Sequence, residues 1–289
     1  MKKIVIFLGA LSIVSSVYAK EVMPVAEVVS TPMLRVDSIG QYIEIDNESS
    51  DAEKEDGDIG HTMFAQKVAL SYGDDWTFEL MARKGWDTDT SDGFGNTSSR
   101  IDLDLWRNYE NYSLGFRWRQ ETNSEDPDSD RYYLRGKYHY GCFSGWADFA
   151  YQADEESADN LYLEAVPLKY SYNKFGIGYY VEGRDTIGST SLGEEESWSK
   201  HQVRLYAPVY SNNKLDLNLE YRYQFYEDKD LTNKDWDDEN NAHIVVLSAD
   251  YKVNDNLSLT SYYEYDFNKY EETDDNYYGE FLVGWNYQF

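Results

Sequence analysis

The sequence predicts an all-β chain that closes into a transmembrane, antiparallel up-and-down β-barrel of fourteen strands. Three observations predict it: runs of about ten residues alternate apolar and polar with period two, the connections between runs alternate short and long, and aromatic residues gather near the run ends.

The N-terminal stretch MKKIVIFLGALSIVSSVYA has a charged start at Lys2 and Lys3, an apolar run from Ile4 to Val14, and small residues up to Ala19. This is the pattern of a signal peptide over 1–19. The apolar run is too short to span a bilayer as a helix, and no later segment approaches the roughly 20 apolar residues that a spanning helix needs. Residues 20–32, with Pro24 and Pro32 and no alternation, read as a short periplasmic lead-in. The barrel is expected over 33–289.

Composition supports this reading. Twenty-eight tyrosines and eight tryptophans stand beside 54 acidic residues, for a formal charge of -28, and the mean hydropathy is -0.72. So polar an average conceals an apolar surface only if apolar and polar residues alternate strictly, as they do in a barrel with lipid outside and water inside. A soluble β-sandwich alternates too, but it has no reason to sort its loops by length. The single cysteine, Cys142, permits no internal disulfide even in an oxidising compartment and reads as a small turn residue. The acidic balance excludes nucleic acid as a partner, since phosphate binding needs a basic patch.

In chain order, strands are expected at 33–45, 62–72, 76–84, 99–108, 112–120, 131–140, 145–152, 160–172, 175–183, 199–210, 215–226, 242–253, 257–267 and 277–289. The eleventh is the clearest. Leu215, Leu217, Leu219, Tyr221, Tyr223 and Phe225 share one face, with Asp216, Asn218, Glu220, Arg222, Gln224 and Tyr226 on the other. The last strand alternates in the same way and ends on Phe289. Alternation in the first strand is broken near Ser38 to Gly40. In the eighth it changes parity at Pro167, where the missing N–H predicts a bulge. The seventh is short, so twelve strands stands as the alternative count.

Short turns are expected at Gly73-Asp74-Asp75, around Tyr109, around Cys142, at Asn173-Lys174, at Ser211-Asn212-Asn213 and at Asn254-Asp255-Asn256. The other connections, near 46–61, 85–98, 121–130, 153–159, 184–198, 227–241 and 268–276, are longer and mostly acidic. Short periplasmic turns, long external loops and an even strand count are the layout of a bacterial outer-membrane barrel. Rings such as Tyr72, Trp76, Tyr112, Tyr138, Tyr172, Phe175 and Tyr251 fall where lipid tails meet headgroups.

The segment NDNLSLTSYYEYDFNKYEETDDNYYGEFLVGWNYQF (254–289), with its closing Asn286, Tyr287 and Phe289, and the segment HQVRLYAPVY (201–210) resemble the OmpG-like monomeric porins. The stretch AKEVMPVAE after the signal is similar to the FomA-type porins. Both resemblances imply a porin for passive diffusion of sugars, amino acids and ions. The first implies fourteen strands and a monomer, the second a trimer, and the monomer is favoured because no external loop is long enough to fold inward as a constriction. The resemblance also implies recognition of terminal Tyr287 and Phe289 by the barrel assembly machinery. Lipopolysaccharide and outer-membrane lipid are the expected surroundings. OmpG-like channels close when a histidine pair on neighbouring late strands becomes charged; His243 lies close to one such place, while Tyr270 stands at the other.

With apolar faces toward lipid, parity turns Arg83, Arg100, Arg117, Arg119, Arg135 and Lys137 inward on the third to sixth strands. Asp216, Glu220, Glu264, Asp266 and Glu280 turn inward across the barrel, on the eleventh to fourteenth. Opposed basic and acidic walls would orient dipolar solutes; alternatively these charges pair with neighbours, and Asp102, Asp104 and Arg222 already interrupt the segregation. Tyr133, Tyr180, Tyr226, Tyr262 and Tyr278 are also expected inside, stacking on sugars or filling space. The arginines raise a second possibility, a channel for acidic oligosaccharides of the KdgM type. The alternation of Asp126, Asp128 and Asp130 lacks the downstream glutamate of a calcium loop, so no metal and no cofactor is expected. A barrel hydrolase or an adhesin are the other functions considered; G-x-S-x-G and H-E-x-x-H are both absent, so no enzyme is expected.

Overall fold

The computed structural model describes residues 33–48, 59–89, 93–123, 128–154, 159–187, 196–231, 242–267 and 277–289. The strands are β1 (Leu34–Glu48), β2 (Ile59–Tyr72), β3 (Trp76–Asp89), β4 (Gly93–Asn108), β5 (Tyr112–Asn123), β6 (Ser129–Tyr140) and β7 (Phe143–Asp154). They continue with β8 (Asp159–Tyr172), β9 (Phe175–Ile187), β10 (Glu196–Ser211), β11 (Leu215–Leu231), β12 (Ala242–Lys252), β13 (Leu257–Phe267) and β14 (Tyr277–Gln288). Each pairs with its neighbours in sequence, and β14 returns to β1 to close a fourteen-stranded, all-antiparallel barrel. The count is therefore fourteen and not twelve. The seam runs from Ser38 opposite Gln288 to Glu48 opposite Tyr278, and the Phe289 N–H donates to the Asp37 carbonyl at 3.0 Å.

Burial is inverted relative to a soluble protein. Asp102, Asp104, Asp148 and Gln202 are buried, whereas Leu80, Leu103, Leu114, Phe149, Leu247 and Val283 are exposed, and Leu134 reaches 66%. An apolar outer band around a polar interior has its low free energy only in a bilayer. The chain is a multi-pass protein of the bacterial outer membrane that crosses with strands; among the described residues no helix is long and apolar enough to cross.

The strands run further at the long-loop end than the alternation reaches: β3 continues to Asp89 and β11 to Leu231. Beyond the apolar band both faces meet water, so the period-two signal fades while the backbone ladder persists. The connection expected at 85–98 is correspondingly reduced, with only 90–92 between β3 and β4 outside the described residues. Much of the other acidic loops, Asp126 included, also lies outside them.

The short turns are built as their residues dictate. Asn173 and Lys174 both have positive φ, 46° and 75°, the two-residue geometry whose twist matches the flanking strands. Asn212 Oδ1 accepts the N–H groups of Lys214 and Leu215, both at 2.7 Å. Asn254 does the same for Asn256 and Leu257, so each asparagine closes its own turn.

Bulges set which face each side chain takes. The one expected at Pro167 is present: Ala165 pairs with Val181, and the next pair is Leu168 with Tyr179. The Pro167 carbonyl accepts the Tyr138 hydroxyl at 2.9 Å. Broken alternation in β1 corresponds to a register shift between Val36 and Ser38. A third bulge was not expected. His201 pairs with Tyr226 and Gln202 with Gln224, leaving Phe225 as the extra residue of β11. Parity flips there. Glu227 joins Gln224 on the inner face, accepting its Nε2–H at 3.1 Å, and Tyr226 turns outward, 44% exposed, with its ring 5.4 Å from that of His201. The inward placement expected for Tyr226 is corrected accordingly.

Candidate functional site

The lumen wall is the candidate site, and its densest part spans β3 to β7. Cross-strand pairing sets Asp102 opposite Arg119 and Asp104 opposite Arg117, while Arg135 lies opposite Asp148. Their side chains interlock. Arg100 Nη2 and Arg119 Nε each reach Asp102 at 2.8 Å. Arg117 Nε donates to Asp104 at 2.9 Å, and Arg135 donates through Nη1 to the same carboxylate and through Nη2 to Asp148 at 2.9 Å. Arg83 stands 3.7 Å from both Glu44 and Glu121. Asp102 is only 1% exposed, and an ionised group so covered is stable only when several cations bond it.

Aromatic rings complete this wall. Arg117 and Arg119 lie over Tyr133, and Arg135 and Lys137 over Trp106, at 4.7 to 5.8 Å from the ring centroids. Gly115 makes room for the indole, since an added Cβ would fall 2.6 Å from Trp106 Cε3. All six predicted basic residues are thus brought onto one wall. It is not a bare basic wall, however: Asp102, Asp104, Glu121 and Asp148 interleave with the arginines. Parity alone places these acids inside, but the ion pairs depend on inter-strand register, which no single strand encodes.

The predicted acidic residues are less unified. Arg222 joins Glu220 (2.6 Å) to Glu264 (2.8 Å), and Arg204 approaches Glu220 at 3.6 Å. Glu280 lies with Glu44 and Asp46 of β1, their carboxylate oxygens within 4.8 Å of one another. Asp216 sits at the short-turn end and accepts the Ser211 hydroxyl at 2.6 Å, while Asp266 lies opposite Tyr278 on β14. Between the two sectors, Tyr162 and Tyr180 donate to Glu182 at 2.7 and 2.5 Å, and Lys200 Nζ meets the same carboxylate at 2.6 Å. Sequence reasoning missed Trp106, Glu182, Lys200 and Arg204, although parity extended along β4, β9 and β10 would have placed all four inside. Tyr133 and Tyr180 are buried as expected.

His243 is not in the lumen. Its Nδ1 shares a hydrogen bond with the Tyr221 hydroxyl at 2.6 Å, and its ring stacks on Tyr223, both on the outer face of β11. His201 likewise turns outward to the Tyr179 hydroxyl at 2.5 Å. The expected gate position at His243 is therefore corrected: a charge there would face lipid or headgroups and could not repel a lumen partner. Tyr270 lies outside the described residues. Tyr287 and Phe289 pack edge to face at 5.1 Å on the outer surface.

No protein-family profile matches the sequence, and no curated protein resembles it. Solved structures align with it. A bacterial polysaccharide outer-membrane secretin aligns with a TM-score of 0.52 at 10% identity, covering 87% of this chain and 98% of the other. OmpT of Vibrio cholerae, in its outer-membrane expressed form, aligns at 0.47 with 13% identity over 91% and 100% of the two chains. A KdgM porin aligns at 0.41 with 12% identity over 87% and 99%. At 10% identity the likeness to the secretin is one of fold.

Proposed function

We propose that the barrel is a porin through which small hydrophilic solutes diffuse passively, among them sugars, amino acids and ions. The supporting observation is the inner wall. Ion-paired arginines and carboxylates line the interior at mid-barrel, and withdrawing such groups from water costs several kcal/mol per ion, so an interior of this composition is a wet one. A fourteen-stranded barrel is also wider than the roughly eight strands whose side chains fill their own lumen.

Charge balance favours a general pore over a dedicated track for acidic oligosaccharides, because Arg100, Arg117, Arg119 and Arg135 are bonded in place to Asp102, Asp104 and Asp148, and Arg83 stands between Glu44 and Glu121. Across the barrel the carboxylates Glu44, Asp46, Glu220, Glu264 and Glu280 outnumber the cations Arg204 and Arg222 that stand among them. The resulting transverse field orients water and dipolar solutes as they pass. We read the channel as a monomer related to the OmpG-like porins, on the strength of the final hairpin's resemblance. Planar-bilayer recording of the purified protein tests the proposal: conductance in single, equal steps is expected, and silence across voltage and pH would overturn it.

A further inference from the structure

A cavity of about 510 Å³ indents the lumen wall between β8 and β13, toward the short-turn end. Lys169, Lys174, Tyr206, Val246, Ser248 and Tyr262 line it, with Arg222, Glu220 and Glu264 along one side. Its volume is that of a small-molecule site, and its chemistry is uneven. The two glutamates are already engaged by Arg222. No ion pair among the described residues uses Lys169 or Lys174. The Lys169 ammonium rests 3.4 Å above the Tyr206 ring, with Glu220 near enough to act on its charge but beyond ion-pair distance. Lys174 stands in the two-residue turn at the cavity's edge, where its positive φ is imposed by the hairpin. Tyr206, Tyr262 and buried Val246 supply the apolar surface, and Ser248 and Asn218 supply neutral hydrogen-bonding groups.

We propose that this cavity is a solute subsite for small organic carboxylates with a flat, ring-shaped body. The carboxylate bonds to Lys169 and Lys174, while the ring lies against Tyr206, Tyr262 and Val246. Acidic loops at the far end do not oppose this, because their field is screened beyond about 8 Å at physiological ionic strength. The arginine wall offers no equivalent place: its guanidinium groups are already bonded to carboxylates, and Lys137 lies over Trp106 without a second lysine beside a cavity. The inference rests on the reading of the barrel as a pore, which it refines by naming a preferred solute.

The experiment is single-channel recording with 4-hydroxybenzoate added on the side of the short turns, compared with acetate, which has charge without a ring, and 4-hydroxybenzamide, which has a ring without charge. Brief blockades are expected with 4-hydroxybenzoate at concentrations about tenfold below those at which either control acts. Lys169→Gln and Lys174→Gln should each weaken the blockade several-fold, measured as a fraction of each variant's own open-channel current, and Lys169→Arg should restore it. A conducting channel that 4-hydroxybenzoate blocks no better than acetate or the benzamide overturns the subsite and leaves the pore reading intact. Absence of any conductance overturns both. Should a lysine variant fail to insert, the three-solute comparison on the unaltered channel decides by itself.

Discussion

Replacing Asp102 by asparagine removes the most deeply covered charge in the lumen and leaves its two guanidinium partners in place. Arg100 and Arg119 are only 16% and 11% exposed and both bond this carboxylate. Asparagine is nearly isosteric but offers one acceptor oxygen, so one of the two charge-assisted contacts is lost, a cost of about 1.5–3 kcal/mol. The electrical effect is larger in kind. The wall gains one net positive charge, and at roughly 7 Å from the ion path in a water-like medium a unit charge contributes about 0.6 kcal/mol. That is close to RT, so local anions are enriched about two- to threefold and cations depleted to match. Reversal potentials under a KCl gradient at low salt, where the Debye length is about 10 Å, should shift toward anion preference. Heat-modifiable gel migration separately reports that the variant has folded. A folded Asp102→Asn channel with an unchanged reversal potential would refute the placement of this ladder along the conducting path.

Three further predictions follow from the same geometry. Leu134→Arg places a charge midway along β6 at a highly exposed outward position and should destabilise folding into lipid vesicles by about 2–4 kcal/mol, read from urea titration; full tolerance would mean that this face does not meet lipid. His243→Ala should leave the pH dependence of conductance unaltered while costing about 1 kcal/mol through the lost Tyr221 bond, and a changed closing profile would contradict the outward position of this ring. Cys142 is exposed in the short turn between β6 and β7, so a membrane-impermeant maleimide should label it in permeabilised cells and not in intact ones; labelling of intact cells would reverse the assigned orientation.

Several features of the molecule were legible in the amino-acid order because they arise within one strand. Alternation along Leu215 to Phe225, proline at 167, and the asparagines that close their own turns act through neighbours a few residues away. Such local causes predict strand count, short turns and most inward-facing residues. Phe225 marks where this reasoning stops. The bulge that turns Tyr226 outward and Glu227 inward appears only when β11 is matched against β10, since it follows from the pairing of His201 and Gln202 with alternate partners.

Placement of His243 shows the same division. Parity within β12 already points it away from Ile244 and Val246 on the inner face, yet its hydroxyl and ring partners come from β11. The lumen charges are the larger case. Alternation along β5 and β6 is enough to send Arg117, Arg119 and Arg135 into the barrel, because successive side chains point to opposite faces of any strand. That each meets Asp102, Asp104 or Asp148 follows from the folded barrel alone, because inter-strand register brings together residues 13 to 31 positions apart. Whether a wall is bare or neutralised depends on separations of a few ångströms across strands, a distance that periodicity along one strand does not carry.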